Sequence, residues 1–226
     1  MTSSIIFKDF LPQKKNSFVW LNAVFLIYLL IIGKVNGLTI VTAYFLETII
    51  IGIVYAFKMY SIISFDNIKN NHSPLSNYAL ILFFIFHFGF FVAIQLVFVF
   101  VYLGMSDTHI KEAYYLLQNL EYVLSYSGMS LVLISIAIYN LADYIFNFII
   151  PKKYETSDLN KITTEPYIRI FVQQFTVILG GFFIIFSSRL LIVAILLILF
   201  RSVIELYFIA NPTRNFLNNN EKQIQL

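Results

Sequence analysis

The sequence predicts an all-α, polytopic membrane protein, with six transmembrane helices and a short amphipathic surface helix between the third and fourth. Three observations predict it. Of 226 residues, 59% are hydrophobic and only 12% charged, against about 25% charged in soluble domains. Mean hydropathy is +0.80. The apolar residues gather into six runs near the roughly 20 residues a spanning helix needs, separated by polar segments that carry Gly and Pro. The chain has no cysteine, which excludes disulfides, thiol catalysis and cysteine-based metal sites. A net charge of +3, spread over loops, gives no basis for a nucleic-acid partner; the positive charges bear on topology instead.

The six runs cover about 17–33, 38–60, 77–104, 127–150, 167–187 and 190–210, with tails at 1–16 and 211–226. Lys14 and Lys15 before the first run resemble a signal peptide. No small-x-small cleavage site follows, so the run reads as a retained span, with Trp20 as an interfacial anchor. "GKVNG" (33–37) closes it with an Asn-Gly turn between two glycines. The third run is long for the bilayer and reads as tilted or protruding. Residues 64–77 and 151–166 read as polar loops, and Thr164-Glu165-Pro166 as a helix start with Thr164 as N-cap. "SSR" (187–189) is short enough to force spans five and six into a tight antiparallel hairpin. Residues 107–124 differ: Ala113, Leu116, Leu117, Leu120 and Leu124 recur at helical spacing opposite Lys111, Glu112, Asn119 and Glu121. This predicts an amphipathic helix capped by Asp107, lying on the membrane surface or packed on the bundle.

Lys and Arg orient the spans. With six of them, one side carries eleven: Lys8, Lys14, Lys15, Lys58, Lys69, Lys152, Lys153, Lys161, Arg169, Arg214 and Lys222. The other carries Lys34, Lys111 and Arg189. The excess predicts that both termini are cytoplasmic.

The ionisable residues inside the spans are the candidate functional residues, because each mid-membrane charge costs roughly 2.5–3.5 kcal/mol and such residues face a bundle interior. At 1.5 Å per residue, Glu47 and Arg201 lie about 14 and 16 Å from the external boundary, and His87 about 15 Å from the cytoplasmic one. Asn140, Asp143 and Asn147 form a stripe on span four, and Arg169, Gln173, Thr176 and Gly180 a stripe on span five, beside Gln174. Glu205 lies one turn beyond Arg201. Lys58 shares a face with Glu47 but is near enough to the helix end to snorkel. Arg201 has two partners in prospect, Glu47 across the bundle or Glu205 on its own helix. Left alone, Glu47 would protonate. Asn140 and the glutamines suit interhelical hydrogen bonding, and Gly180-Gly181 suits close helix approach.

Searches for catalytic signatures return no HExxH, no GxSxG elbow and no P-loop. His72, His87 and His109 occupy different environments, so neither a metal centre nor a haem site is expected, and no cofactor is implied. "YFLETIIIGIVYAFKM", "FFIFHFGFFVAIQLVFVF", "PYIRIFVQQFTVILGG" and "LFRSVIELYF", in that order, resemble the bacterial multi-pass membrane family designated domain of unknown function 6498. The matching positions are Tyr44/Phe45 with Glu47 and Gly52, then His87 with Gly89, Arg169-Ile170, Gly180-Gly181, and Arg201 with Glu205. Gln174 stands where that pattern has a histidine, Arg201 where it has a lysine and Glu205 where it has an aspartate. The resemblance covers about residues 20–210 and implies a bacterial inner-membrane protein without supplying an activity.

The preferred reading is a non-catalytic integral subunit or assembly factor whose buried charges set helix pairing, with the lipid bilayer and other membrane subunits or further copies of itself as partners. Two alternatives remain: a small transporter or channel with Glu47, His87 and Arg201 on its pathway, and a membrane-embedded enzyme acting on lipid, with Asp143 and His87 as acid and base.

Overall fold

The computed structural model describes residues 11–13, 16–70, 75–104, 107–110, 112–168, 170–171, 195 and 198–206. Among these the chain is helical and contains no strand. The helices are α1 (Ser17–Ile31), α2 (Gly37–Asn70), α3 (Leu75–Gly104), α4 (Leu116–Leu124) and α5 (Met129–Tyr144). A π-helical turn, Ile145–Ile149, prolongs α5, and a 3-10 turn follows at Lys153–Glu155. Residues 159–168 and 170–171 form α6, and 198–206 form α7.

Three stretches are long and apolar enough to cross a membrane: Gly37–Asp66, Tyr78–Gly104 and Met129–Ile149. The chain is in this sense a membrane protein. α1 is apolar but has 15 residues, which span about 22 Å, less than a hydrocarbon core of about 30 Å. Spans five and six lie mostly outside the described residues, as do the "SSR" turn, Gly180-Gly181 and most of both tails.

α2 is the central helix. Its most apolar stretch is 67% buried, against 28% for α3 and 33% for Met129–Ile149, because it packs along both α3 and α5. One end of this packing is locked by backbone geometry. Gly33 takes φ +69°, and the Lys34 N–H donates to the Leu29 carbonyl at 3.0 Å, so α1 closes with a left-handed residue that suits glycine. Asn36 then caps α2, its side-chain oxygen accepting from the Thr39 N–H at 2.8 Å and the Thr39 hydroxyl at 3.0 Å. Gly128, at φ +74°, lies beneath this turn; a Cβ there would sit 2.4 Å from the Lys34 carbonyl oxygen.

Several expected boundaries move. The loop expected at 64–77 is mainly helix: α2 runs to Asn70 and α3 begins at Leu75. Polar residues do not end a helix once they have left the bilayer, since water satisfies their side chains. The surface helix begins at Leu116, not near Asp107. Asp107 instead accepts from the backbone N–H of His109 (3.0 Å), the His109 ring (2.9 Å) and the hydroxyls of Tyr122 and Tyr126 (each 3.0 Å). Its oxygens are thus occupied without a helix terminus. The buried positions of α4 are Asn119 and Val123, whereas Leu117 is 82% exposed, so the packed face is rotated from the leucine face read in the sequence. Thr164 is not an N-cap: the helix is already formed at 159, where Asp158 accepts from the Asn160 N–H at 2.9 Å. Thr163 and Thr164 turn their hydroxyls back to the carbonyls of Leu159 (2.8 Å) and Asn160 (3.1 Å), and Pro166 lies inside α6.

Candidate functional site: buried charge clusters between helices

Helices α2, α5 and α7 bring four of the predicted polar residues, Glu47, Asn140, Arg201 and Glu205, into one buried centre. Glu47, on α2, is 1% exposed and Arg201, on α7, 8%. The guanidinium engages the carboxylate with two donors: Nε reaches Oε2 at 2.8 Å, and a terminal nitrogen donates to Oε1. This fork matches both carboxylate oxygens and is the stronger form of charge-assisted pairing. Asn140, on α5, adds a third bond, its amide nitrogen donating to Glu47 Oε1 at 3.1 Å and to the Ile136 carbonyl at 2.9 Å. The rings of Tyr44 and Tyr139 flank the guanidinium, 5.0 and 5.5 Å from its carbon, within cation–π range. The Tyr139 hydroxyl donates to Glu205 at 3.2 Å, drawing the second acid of α7 into the cluster.

These contacts follow from local register. Tyr44 precedes Glu47 by three residues, so α2 presents a ring beside its carboxylate. The i, i+4 spacing puts Glu205 on the Arg201 face of α7. The carboxylate with its three bonds is matched by a cation, and the ensemble buries no uncompensated charge at Glu47.

A second cluster forms lower on α2. Lys58, expected to snorkel, is 7% exposed. It lies 3.6 Å from Asp143 and 4.6 Å from the centroid of the Tyr55 ring. Asp143 also accepts from the Asn147 amide at 3.0 Å. The lysine stays inside because the acid and the rings of Tyr55 and Phe148 replace the water it would seek. Tyr55 donates to Glu165 of α6 at 3.1 Å, and the hydroxyls of Ser61 and Tyr144 meet at 2.8 Å. Asn140 and Asp143, one stripe in the sequence, therefore serve different clusters.

His87 is elsewhere. It is exposed on the outer face of α3, stacked on Phe83 with centroids 5.1 Å apart, and its Nδ1 lies 2.8 Å from the Tyr167 hydroxyl. Its contacts are aromatic, and the structure does not bring it to the Glu47 centre or to Asp143. Arg169, Gln173 and Gln174 lie outside the described residues. Among the described residues no group of three His, Cys, Asp or Glu is arranged to hold a metal.

Two grooves flank the clusters. One, about 470 Å³, runs between α2 and α3 past Gly52, Phe57, Phe84, Phe88 and Gly89. The other, about 250 Å³, runs between α1 and α5 past Phe18, Asn22, Phe25, Ser135 and Tyr139. Glu47 and Arg201 line neither.

Outside the apolar stretches, Asp107 is the most densely bonded acid among the described residues. Burial pushes its carboxyl up, but the bonds from His109, Tyr126 and Tyr122 outweigh that and hold it below the ordinary aspartate value. Burial first, and then the bond to Asp107, pushes the Tyr126 and Tyr122 hydroxyls up.

Sequence reasoning missed the tyrosines, the inward course of Lys58 and the bond by which the Ser135 hydroxyl of α5 donates to the Asn22 side-chain oxygen of α1 at 2.6 Å. Tyrosine in a span reads as an interfacial or packing residue, and only the i−3 spacing of Tyr44 from Glu47 hinted otherwise. The model of the Family of unknown function (DUF6498) matches residues 7–222. No curated protein and no solved structure matches the chain.

Proposed function

This chain belongs to the Family of unknown function (DUF6498), and from that premise we propose that it is a non-catalytic integral membrane subunit or assembly factor whose buried charges hold its helices in register. The observation that supports this most directly is the closed state of the Glu47–Arg201 centre. A transport residue needs contact with a path, and a catalytic acid needs a substrate face. Glu47 has instead two donors from Arg201, one from Asn140 and 1% exposure. Such a pair ties α7 to α2 across 154 positions of sequence, with α5 joined through Asn140, the role in which buried ionic groups specify one arrangement over its alternatives.

In this reading the chain has six spans in a bacterial inner membrane, with both termini cytoplasmic, on the strength of the six apolar runs and the lysine and arginine excess. The partner surface is the outer face of α3. Phe83, Phe86, Phe90 and Phe91 are exposed there beside His87. A histidine facing hydrocarbon is costly unless its polar atoms are met; Tyr167 of α6 meets Nδ1, and the partner helix would meet the other ring nitrogen.

Purification in mild detergent, with mass spectrometry of what accompanies the protein, tests the role. The expected result is a stoichiometric membrane partner or a homo-oligomer that His87→Leu releases without lowering thermal stability. A monodisperse monomer with no partner, unchanged by His87→Leu, refutes it. Reporter fusions at residues 70, 157 and 222 should read cytoplasmic and one at 110 external; an external reading at 222 refutes the six-span topology.

A further inference from the structure

The short helix α4 carries most of its apolar residues off the side that packs on the bundle. At about 100° per residue, its circumference divides into three successive sectors. Asn119 and Val123 face the bundle and are buried. Leu116, Leu120, Leu124 and Leu117 follow, together covering about 100°. Exposure grows along them: Leu116 and Leu120 are partly buried against the core, whereas Leu124 is 43% and Leu117 82% exposed. Glu121, Ser125 and Gln118 come next, and all three are exposed. We propose that the leucine sector of α4 is a lipid contact, seated in the leaflet at the Gly104 and Met129 end of the bundle, with Glu121, Ser125 and Gln118 turned to water. The two placements that the sequence leaves open for this helix, on the membrane surface and on the bundle, then both hold, on adjacent sides.

Three features carry this. The first is the order of the sectors. A helix packed on a bundle in water shows polar residues over its whole free side. A helix at the border of a bilayer has three neighbours, the bundle, hydrocarbon and water, and α4 presents a sector suited to each, with the apolar one between the other two. The second is level. Asp107, three residues past the last residue of α3, accepts from the hydroxyls of Tyr122 and Tyr126 at 3.0 Å each. The last turn of α4 is thereby pinned to the end of α3. Five peptide steps join Leu124 to Met129, where the next apolar stretch begins, and these reach at most about 18 Å. Tyr78–Gly104 and Met129–Ile149 are both long and apolar enough to cross a membrane, so α4 is held where both leave the hydrocarbon. An apolar helix face at that border sinks about 5–10 Å into the boundary between headgroups and acyl chains, which a tether of this length allows. The third is the pair of rings before the helix. Tyr114 and Tyr115 are exposed, and tyrosine collects at the headgroup level. None of this depends on the role proposed above for the buried charges; it requires only that the flanking helices cross a bilayer.

The chain has no cysteine, so single cysteines report without background. Leu117→Cys, Leu124→Cys, Gln118→Cys and Glu121→Cys, each at an exposed position, are made in the full chain, labelled with a nitroxide and reconstituted into vesicles of phosphatidylethanolamine and phosphatidylglycerol. Electron paramagnetic resonance then compares collisions with oxygen, which concentrates in hydrocarbon, and with a neutral nickel chelate, which stays in water. The oxygen-to-nickel ratio should be at least about threefold higher at positions 117 and 124 than at 118, with 121 between, as for a helix lying in the boundary. Equal ratios at the leucine and polar positions place α4 in water and overturn the assignment. Labels at 117 and 124 shielded from both reagents overturn it as well, because a protein then covers the face. The contrast is read across four independent variants, so it survives if one of them does not fold.

Discussion

Removing Glu47 leaves a guanidinium without its counter-ion inside the bundle. Glu47→Ala deletes the acceptor of two Arg201 donors and of one Asn140 donor, while Arg201 stays 8% exposed in the native packing. Breaking one side of a buried pair costs about 3–5 kcal/mol. The Tyr44 and Tyr139 rings remain within 5.5 Å of the guanidinium carbon, so the stranded cation keeps an attractive setting and the loss falls toward the low end of that range. Glu205, one turn away, lowers the cost further. The expected net loss is about 2–3 kcal/mol. Arg201→Leu should cost less, about 1–2 kcal/mol, because Glu47 escapes its stranded charge by taking a proton, whereas arginine keeps its charge at any accessible pH. With both groups replaced, no charge is stranded, and the double variant should be about 1–2 kcal/mol more stable than the sum of the single losses implies. The measurement is reversible unfolding in mixed micelles titrated with a denaturing detergent, on native, single and double variants. Additive losses would refute the pairing, and so would Arg201→Leu proving the costlier of the two single changes.

Other perturbations have definite outcomes. Gly128→Ala should lose about 2–3 kcal/mol, because a Cβ at φ +74° would press within 2.4 Å of a backbone carbonyl; the same detergent titration reads it. Asp143→Ala should destabilise by about 2 kcal/mol, because Lys58 then stays buried beside Tyr55 without the carboxylate, and Lys58→Met should suppress most of that loss. Asp107 has a lowered pKa in the folded chain, so its contribution is complete above the ordinary aspartate value and is lost as pH falls below that value toward the folded one. Asp107→Asn should flatten the acid limb of the stability profile in that window, and an unchanged limb would show that Asp107 does not govern it. The Tyr126 hydroxyl, pushed up by burial and by Asp107, contributes in the opposite direction: its share is complete below the ordinary tyrosine value and fades as pH rises through its folded value. Tyr126→Phe should therefore remove an alkaline component and also weaken the acid limb, because it deletes one of the bonds that hold Asp107 low.

Much of the architecture is a property of single segments, which is why it can be read from the sequence. A stretch such as residues 77–104 is apolar enough to leave water by itself, and its backbone must then be helical to satisfy its own hydrogen bonds. α3, at Leu75–Gly104, follows that logic within two residues. The constant rise of a helix likewise converts residue number into depth, so Glu47 and Arg201 count to nearly one level before any packing is known. Charged or proline-bearing stretches are less informative, because water tolerates helix and loop alike. That is why α2 runs on to Asn70 and why the start of α6 precedes Thr164.

What only the tertiary structure decided is rotation. A helix apolar all round offers no polar face to show which side looks inward, and a shift of one residue turns a side chain by about 100°. Lys58 could have turned to the helix end and His87 to the centre. The packing turns Lys58 in, toward Asp143 and Tyr55, and His87 out, onto Phe83 and Tyr167. The same rotation divides the Asn140–Asp143 stripe between two clusters. Depth belongs to one helix, and the sequence by itself determined it; facing belongs to pairs of helices, whose contacts arise from residues far apart in the chain and exist only once the bundle has formed.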